Sequence, residues 1–300
     1  MASSPPDIPG VANRYVEIET ADAGRLRVHC AEAGSGEPVL MLHGWPQHFW
    51  SWRHVVPRLA DRRRLICPDL RGFGWTDAPG RGYDSETFAS DAVALLDALG
   101  LDRVKLIGHD WGGFAGFLLA LRHPERVERY LALNCPVPWA PVSPRLAVEG
   151  WRSWYTWVLA APGLGRRALA HRPGLAHWIL RHGHVHEAIS DADAALYAAR
   201  LREPERNRAS TLLYRSYQRA FADVGFRRRY HGLRLRVPTR LVFGARDLYV
   251  STALTRGWED HADDMAVEYV PDCGHFIAEE RPELVAERAL ELFASVASNR

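Results

Sequence analysis

Arg103-Val-Lys-Leu-Ile-Gly108-His109-Asp110-Trp111-Gly112-Gly113-Phe114-Ala115-Gly116 carries a strand, a turn and the start of a helix in one run. Val104 to Ile107 is a short apolar segment suited to a buried strand, and Phe114 to Leu121 reads as the apolar start of a helix. The glycine-rich turn between them has the spacing of a nucleophile elbow, a sharp bend that holds a reactive side chain at its apex in strained backbone geometry. Side chains on the neighbouring positions would collide with that bend, and Gly108, Gly112 and Gly113 remove them.

The apex residue is Asp110, where an elbow built for acyl transfer carries serine. A serine that attacked a saturated carbon would form an ether, which no histidine-activated water could cleave. A carboxylate attacking the same carbon forms an ester, and water can hydrolyse that ester at the carboxylate carbon and regenerate the enzyme. Asp110 therefore points to an sp3 carbon bearing a leaving group, attacked from behind, and not to an acyl group.

Upstream, Tyr15 to Thr20 and Leu26 to Ala31 alternate apolar and polar residues around Asp22-Ala-Gly24, the pattern of an antiparallel hairpin. Val39 to Leu42 is a fully apolar strand that ends in His43-Gly44-Trp45-Pro46. A loop leaving that strand end can turn a backbone N–H towards the elbow, and because Pro46 has none, Trp45 is the natural donor. With the amide of Trp111 it makes a candidate oxyanion hole for hydrolysis of the ester. Trp50 to Ala60 predicts a helix and Leu65 to Cys67 a buried strand, while Asp69 and Arg71 are assigned to fixing the loop Pro68 to Thr76 by hydrogen bonds. Ser85 is the expected N-cap of a helix that buries Phe88, Val93, Leu95, Leu96 and Leu99 and stops at Gly100.

Downstream, the elbow helix is expected to end near Pro124, and Val127 to Cys135 to form the next strand. Strands and helices alternate to that point, which implies parallel strands, right-handed crossovers and reactive groups gathered at the carboxyl ends of the strands. The alternation breaks at Pro136-Val-Pro138-Trp-Ala-Pro141-Val-Ser-Pro144 and returns at Thr239-Arg-Leu-Val-Phe-Gly244. The domain division that follows is a core of residues 1-135 and 236-300 with an inserted helical lid at 136-235, which holds Trp151, Trp154, Trp157 and Trp178. His171, His177, His182, His184 and His186 lack the companion cysteines or carboxylates of a metal site, so no metal is expected, and Arg227 to Arg229 reads as a solvated face.

Beyond the lid, Asp247 stands just past the strand Leu241 to Phe243, and His275 just past the strand Val267 to Val270. The order Asp110, Asp247, His275 is that of nucleophile, acid and histidine in elbow enzymes. In that arrangement His275 activates the hydrolytic water, and Asp247 orients the imidazole and stabilises its charged form.

Three hundred residues are enough chain for two domains or one large one. With 47% hydrophobic residues, 25% charged residues and a net charge of +2, nothing in the overall balance calls for nucleic acid or an anionic membrane. Lys105 is the sole lysine among 38 basic residues, which we read as coding bias. Cys30, Cys67, Cys135 and Cys273 are scattered and three lie in or beside apolar runs, the pattern of buried free thiols in a reducing compartment. Met1 to Gly10 lacks the basic start and apolar core of a signal peptide, and no run approaches the ~18 residues of a membrane span, so the expected location is cytoplasmic.

Taken together, His43-Gly-Trp-Pro46, Gly108-His-Asp-Trp-Gly-Gly113, Gly244-Ala-Arg-Asp247 and Cys273-Gly-His-Phe276 resemble the α/β-hydrolase superfamily, and within it the epoxide hydrolases similar to the soluble eukaryotic enzyme. The resemblance implies an α/β-hydrolase fold, with a mostly parallel eight-stranded sheet flanked by helices and the helical lid inserted. It also implies a cofactor-independent hydrolase, a monomer or homodimer, that turns a small epoxide into a vicinal diol; the many Trp and Phe residues suggest an apolar one. Two lid tyrosines hydrogen-bond the epoxide oxygen in that family, and by position they are Tyr155 and Tyr214, with Tyr197 and Tyr217 as rivals.

Haloalkane and fluoroacetate dehalogenases share the aspartate. The former usually carry asparagine or glutamate where this chain has Trp45, and the latter arginine where it has Trp111. A non-catalytic ligand-binding protein of the same fold is expected to lack a triad member, and here none is missing.

Overall fold

The opening hairpin forms as β1 (Ala12–Thr20) and β2 (Gly24–Ala33), antiparallel, with Thr20 opposite Gly24. The short apolar runs become β3 (Pro38–Leu42), β4 (Arg64–Pro68), β5 (Val104–His109), β6 (Val127–Leu133), β7 (Thr239–Gly244) and β8 (Met265–Val270) in a computed structural model. It describes residues 4–141, 143–171, 174–227 and 229–294; the readings placed on Met1 to Ser3, Val142 and Arg228 fall outside these. All eight strands join one sheet in the order β1-β2-β4-β3-β5-β6-β7-β8. Only the β1–β2 and β2–β4 pairs are antiparallel. This is the mostly parallel sheet that the resemblance implies.

The central strands are apolar on both faces because both faces are covered. Leu40, Leu42 and Leu106 pack into the cluster on one side, and Val39, Met41 and Ile107 into the cluster on the other. Burying each such side chain contributes roughly 1.5–3 kcal/mol relative to leaving it in water. The helices of this core are α1 (Val56–Leu59), α2 (Ser85–Ala98) and α3 (Asp110–Arg122). Between β6 and β7 come α4 (Pro144–Glu149), α5 (Trp154–Ala160), α6 (Leu164–Ala170), α7 (Gly174–His182), α8 (Asp191–Leu201) and α9 (Pro204–Arg227). After β8 come α10 (Ile277–Glu280) and α11 (Pro282–Ala294).

Several local expectations are corrected. Trp50 to Ala60 is not one helix: a 3-10 turn covers Phe49–Trp52 and α1 begins only at Val56. Pro57 has no N–H to give the preceding turn, so a continuous α-helix would lose a bond there. Ser85 is not the N-cap of α2; Asp84 is, with its Oδ1 accepting from Thr87 N at 2.9 Å. An aspartate one residue earlier caps equally well and adds negative charge at the positive end of the helix. β6 stops at Leu133 rather than Cys135, because Asn134 takes a left-handed φ of 42° that ends an extended strand.

Other expectations hold. The Asp69 carboxylate fixes its loop by accepting from Phe49 N at 2.8 Å and Trp75 N at 2.9 Å, and Arg71 pairs with Asp22 and Asp91. All four cysteines are buried and free. Arg229 is exposed and lies 3.7 Å from Glu86. Between β6 and β7, His182 stacks on Trp178 with 4.4 Å between ring centroids, and His186 bonds the Asp272 carbonyl. Among the described residues no helix is long and apolar enough to cross a membrane.

The parallel register sets up the site. Gly108 pairs with Leu42 on one side and Ala132 on the other, and Leu133 pairs with His109 and with Val242. The carboxyl ends of β3, β5, β6 and β7 therefore finish level, and the loops leaving them meet over the elbow.

Candidate active site

Asp110 sits where β5 turns into α3, with a φ of 50° that an L-residue seldom adopts. The bend is tight enough that a Cβ on Gly112 would lie 2.4 Å from the Leu42 and His43 carbonyl oxygens. A Cβ on Gly44 would lie 2.5 Å from Asp110 Cβ and 2.6 Å from its Oδ2. Glycine at position 44 is thus what lets the loop after β3 come close to the carboxylate.

That loop delivers its amide. Trp45 N donates to Asp110 Oδ2 at 3.0 Å, and the Trp111 amide also bonds the carboxylate. The other oxygen, Oδ1, lies 3.9 Å from His275 Nε2. Burial pushes the Asp110 carboxyl up to about 6, against the opposing pull of His275 and the Trp111 and Trp45 amides.

His275 Nδ1 donates to Asp247 Oδ2 at 2.8 Å. Burial disfavours the imidazolium, but Asp247 outweighs it, with Asp110 and Glu280 adding to the effect, so His275 is held above its ordinary value. Burial by itself would raise Asp247; His275 and the Asn134 amide overcome that and hold it below the usual carboxylate range. Asp247 Oδ1 accepts from Tyr249 N at 2.7 Å and Val250 N at 2.9 Å, while Oδ2 takes the imidazole and the Asn134 amide.

Asn134 was missed from the sequence. Its Nδ2 donates to Asp247 Oδ2 at 2.8 Å and to Gly274 O at 3.1 Å, and its Oδ1 accepts from Gly244 N at 3.2 Å. One amide side chain so ties together the loops that carry Asp247 and His275. The signal was available: a polar residue just past a buried strand end, on a sheet whose reactive groups gather there.

The structure brings Tyr155 and Tyr214 to the elbow. Tyr155 stacks on Trp45 with ring centroids 6.2 Å apart, and Tyr214 meets Trp45 edge-on at 5.0 Å. Tyr214 is hydrogen-bonded to Trp111 and Tyr155. Burial, with the Asp110 charge adding to it, holds both phenols well above their ordinary value, so they are protonated. Tyr217 also feels Asp110, and its ring centroid lies 5.7 Å from that of Trp111. Tyr197 lies elsewhere, with its hydroxyl bound to Glu279 Oε1 at 2.7 Å in a buried cluster with Arg53.

A site with a carboxylate at an elbow, two backbone amides on that carboxylate and an Asp–His pair beside it invites comparison with known proteins. Residues 37–282 match the model of the alpha/beta hydrolase fold family. The soluble epoxide hydrolase of Corynebacterium sp. (strain C12) is 31% identical over 287 residues, covering 89% of this chain and 94% of that one. The solved epoxide hydrolase CorEH superimposes with a TM-score of 0.74 at 28% identity, over 94% of this chain and 99% of its own. A Salmonella enterica protein named as a candidate acyltransferase superimposes with a TM-score of 0.82 at 30% identity, over 98% of this chain and 99% of its own. The chain belongs to the α/β-hydrolase fold family, and within it stands among the epoxide hydrolase-like enzymes.

Proposed function

We propose that this protein hydrolyses an apolar epoxide to a vicinal diol through a covalent ester on Asp110, under a lid formed by residues 136-235. The observation that carries the reading is the different treatment of the two Asp110 oxygens. Oδ2 is held by the Trp45 amide at 3.0 Å, while Oδ1 faces the histidine side at 3.9 Å and accepts no such bond from Trp45. Oδ1 is the attacking atom and Oδ2 sits where the oxyanion will form.

Oδ1 displaces the epoxide oxygen from the back of a ring carbon as Tyr155 and Tyr214 hydrogen-bond that oxygen, and one phenol passes it a proton. The product is a hydroxyalkyl ester. Esterification removes the negative charge of Asp110, one of the charges that raise His275, so more of the imidazole is neutral and free to accept a proton. His275 takes a proton from water, hydroxide adds to the ester carbon, and the Trp45 and Trp111 amides hold the oxyanion. Collapse expels the diol, and the proton on His275 returns to the phenol.

Epoxide is favoured over halide because the indole donors that would grip a halide are engaged. Trp45 Nε1 donates to Ser210 Oγ at 3.1 Å, and Trp111 is bonded to Tyr214. The acyltransferase name of the Salmonella protein does not fit an elbow whose apex is aspartate. A single turnover of an aryl epoxide in H2(18)O tests the reading: the first diol should carry unlabelled oxygen, drawn from Asp110, and the label should appear in the carboxylate. Label in the first diol would mean direct attack by water.

A further inference from the structure

Three consecutive backbone N–H groups around His275 are fixed from outside the sheet. Gly274 N donates to the Glu280 carboxylate at 3.1 and 2.9 Å, and Phe276 N donates to its Oε1 at 3.2 Å. Between them, His275 N donates to the Gly183 carbonyl oxygen at 2.7 Å. Glu280 Oε2 also accepts from Val185 N at 2.8 Å. One carboxylate thus clasps the loop that carries the histidine together with the segment that leaves α7.

The fit is close. A Cβ on Gly274 would lie 2.5 Å from the Gly183 carbonyl oxygen, so the two segments cannot shift against each other freely. Burial holds Glu280 above its ordinary value, while the amides of Val185, Gly274 and Phe276, aimed at the carboxylate, and the charge of His275 pull the other way.

We propose that Glu280 is a positioning residue for His275, acting through the two amides that flank the histidine and through the Val185 amide, and that it makes seating of the base depend on seating of residues 183–185. The proposal rests on the epoxide hydrolase reading above. A half-buried negative charge five residues from the histidine also bears on its titration. The groups facing His275 are Asp247 from the loop after β7, Asp110 and His109 from the elbow, Tyr249 and Glu280. Around Glu280 itself stand Cys273 and Arg281, with His184 backing onto Gly274.

Two variants separate charge from reach. Glu280→Gln keeps the length and loses the charge, whereas Glu280→Asp keeps the charge and loses the reach. Alkylation and ester hydrolysis are followed by mixing with an aryl epoxide, quenching with acid at set times and reading the intact mass, across pH, with thermal melts alongside. In Glu280→Gln, ester hydrolysis should fall ~10- to 100-fold, as for a misplacement of about 1 Å, while alkylation stays near wild type, so that the ester accumulates. Its acid limb should also move to lower pH, because a histidine with one anion fewer loses its proton sooner. Glu280→Asp should also accumulate ester, with the limb where wild type has it.

An unmoved limb in Glu280→Gln, or alkylation and hydrolysis falling together in proportion to lost folded protein, would overturn the proposal. If Glu280→Gln does not fold, Glu280→Asp decides: accumulated ester supports the role and none removes it. Failure of the positioning role leaves the wild-type adduct in place. No adduct in wild type or in either variant would overturn the epoxide reading and this proposal together.

Discussion

His275 Nε2 and Asp110 Oδ1 face each other at 3.9 Å, beyond hydrogen-bond distance. The histidine therefore does not tie up the oxygen assigned to attack, and Asp110 can be alkylated before His275 is needed. In the proposed mechanism the two half-reactions are therefore separable.

As the proposed nucleophile, Asp110 would attack only when ionised, and burial lifts its carboxyl to about 6. A raised acid stays protonated to higher pH, so the rate of adduct formation should climb with pH through about 6 and level off above it. Single-turnover alkylation rates across that range check this, and a profile flat down to ordinary aspartate values would contradict it.

The same shift predicts a stability effect. A carboxyl whose folded pKa is raised lends stability below its unfolded pKa, and that stability is lost as pH rises through the folded pKa. Asp110→Asn should therefore melt higher than wild type at pH ~8, by an amount on the order of 2 kcal/mol, and show little gain at pH ~4. Equal melting at both values would mean that Asp110 is not strained by burial.

Tyr155→Phe and Tyr214→Phe should each slow adduct formation by ~10- to 100-fold, the worth of a hydrogen bond to developing charge, and the double variant should slow it further. Tyr197→Phe should leave adduct formation unchanged and lower stability by about 1–3 kcal/mol, since it removes a donor from buried Glu279. A large alkylation defect in Tyr197→Phe would reverse the assignment.

Asn134→Ala should act on the second half-reaction. Asp247 Oδ2 loses its 2.8 Å donor and the Gly274 carbonyl its 3.1 Å donor, so His275 is held less well and the ester should build up at steady state. Quenched-flow mass analysis reads this directly.

Much of this arrangement was legible in the sequence because each key residue stands at a strand end. The runs before Trp45, Asp110 and Asp247 are short, mostly apolar and buried, and the half-exposed strand before His275 stops before Pro271, so their parallel pairing brings the following residues together. What was not legible depended on a competition between neighbours. Asp84 and Ser85 both cap well, and only the chain's approach to α2 selects the first. Asn134 looked like strand because its left-handed φ is set by the three hydrogen bonds its side chain makes across two other loops. Tyr197 and Tyr214 both lie on helices between β6 and β7, and only tertiary packing sends one to Glu279 and the other to Trp45.

The most direct test of the covalent mechanism is the intact mass of His275→Gln after incubation with an aryl epoxide. The account predicts a stable adduct equal to the whole epoxide, mapped to Asp110, because alkylation proceeds and the ester cannot be hydrolysed. Full turnover by this variant with no adduct, or an adduct on any other residue, would contradict it.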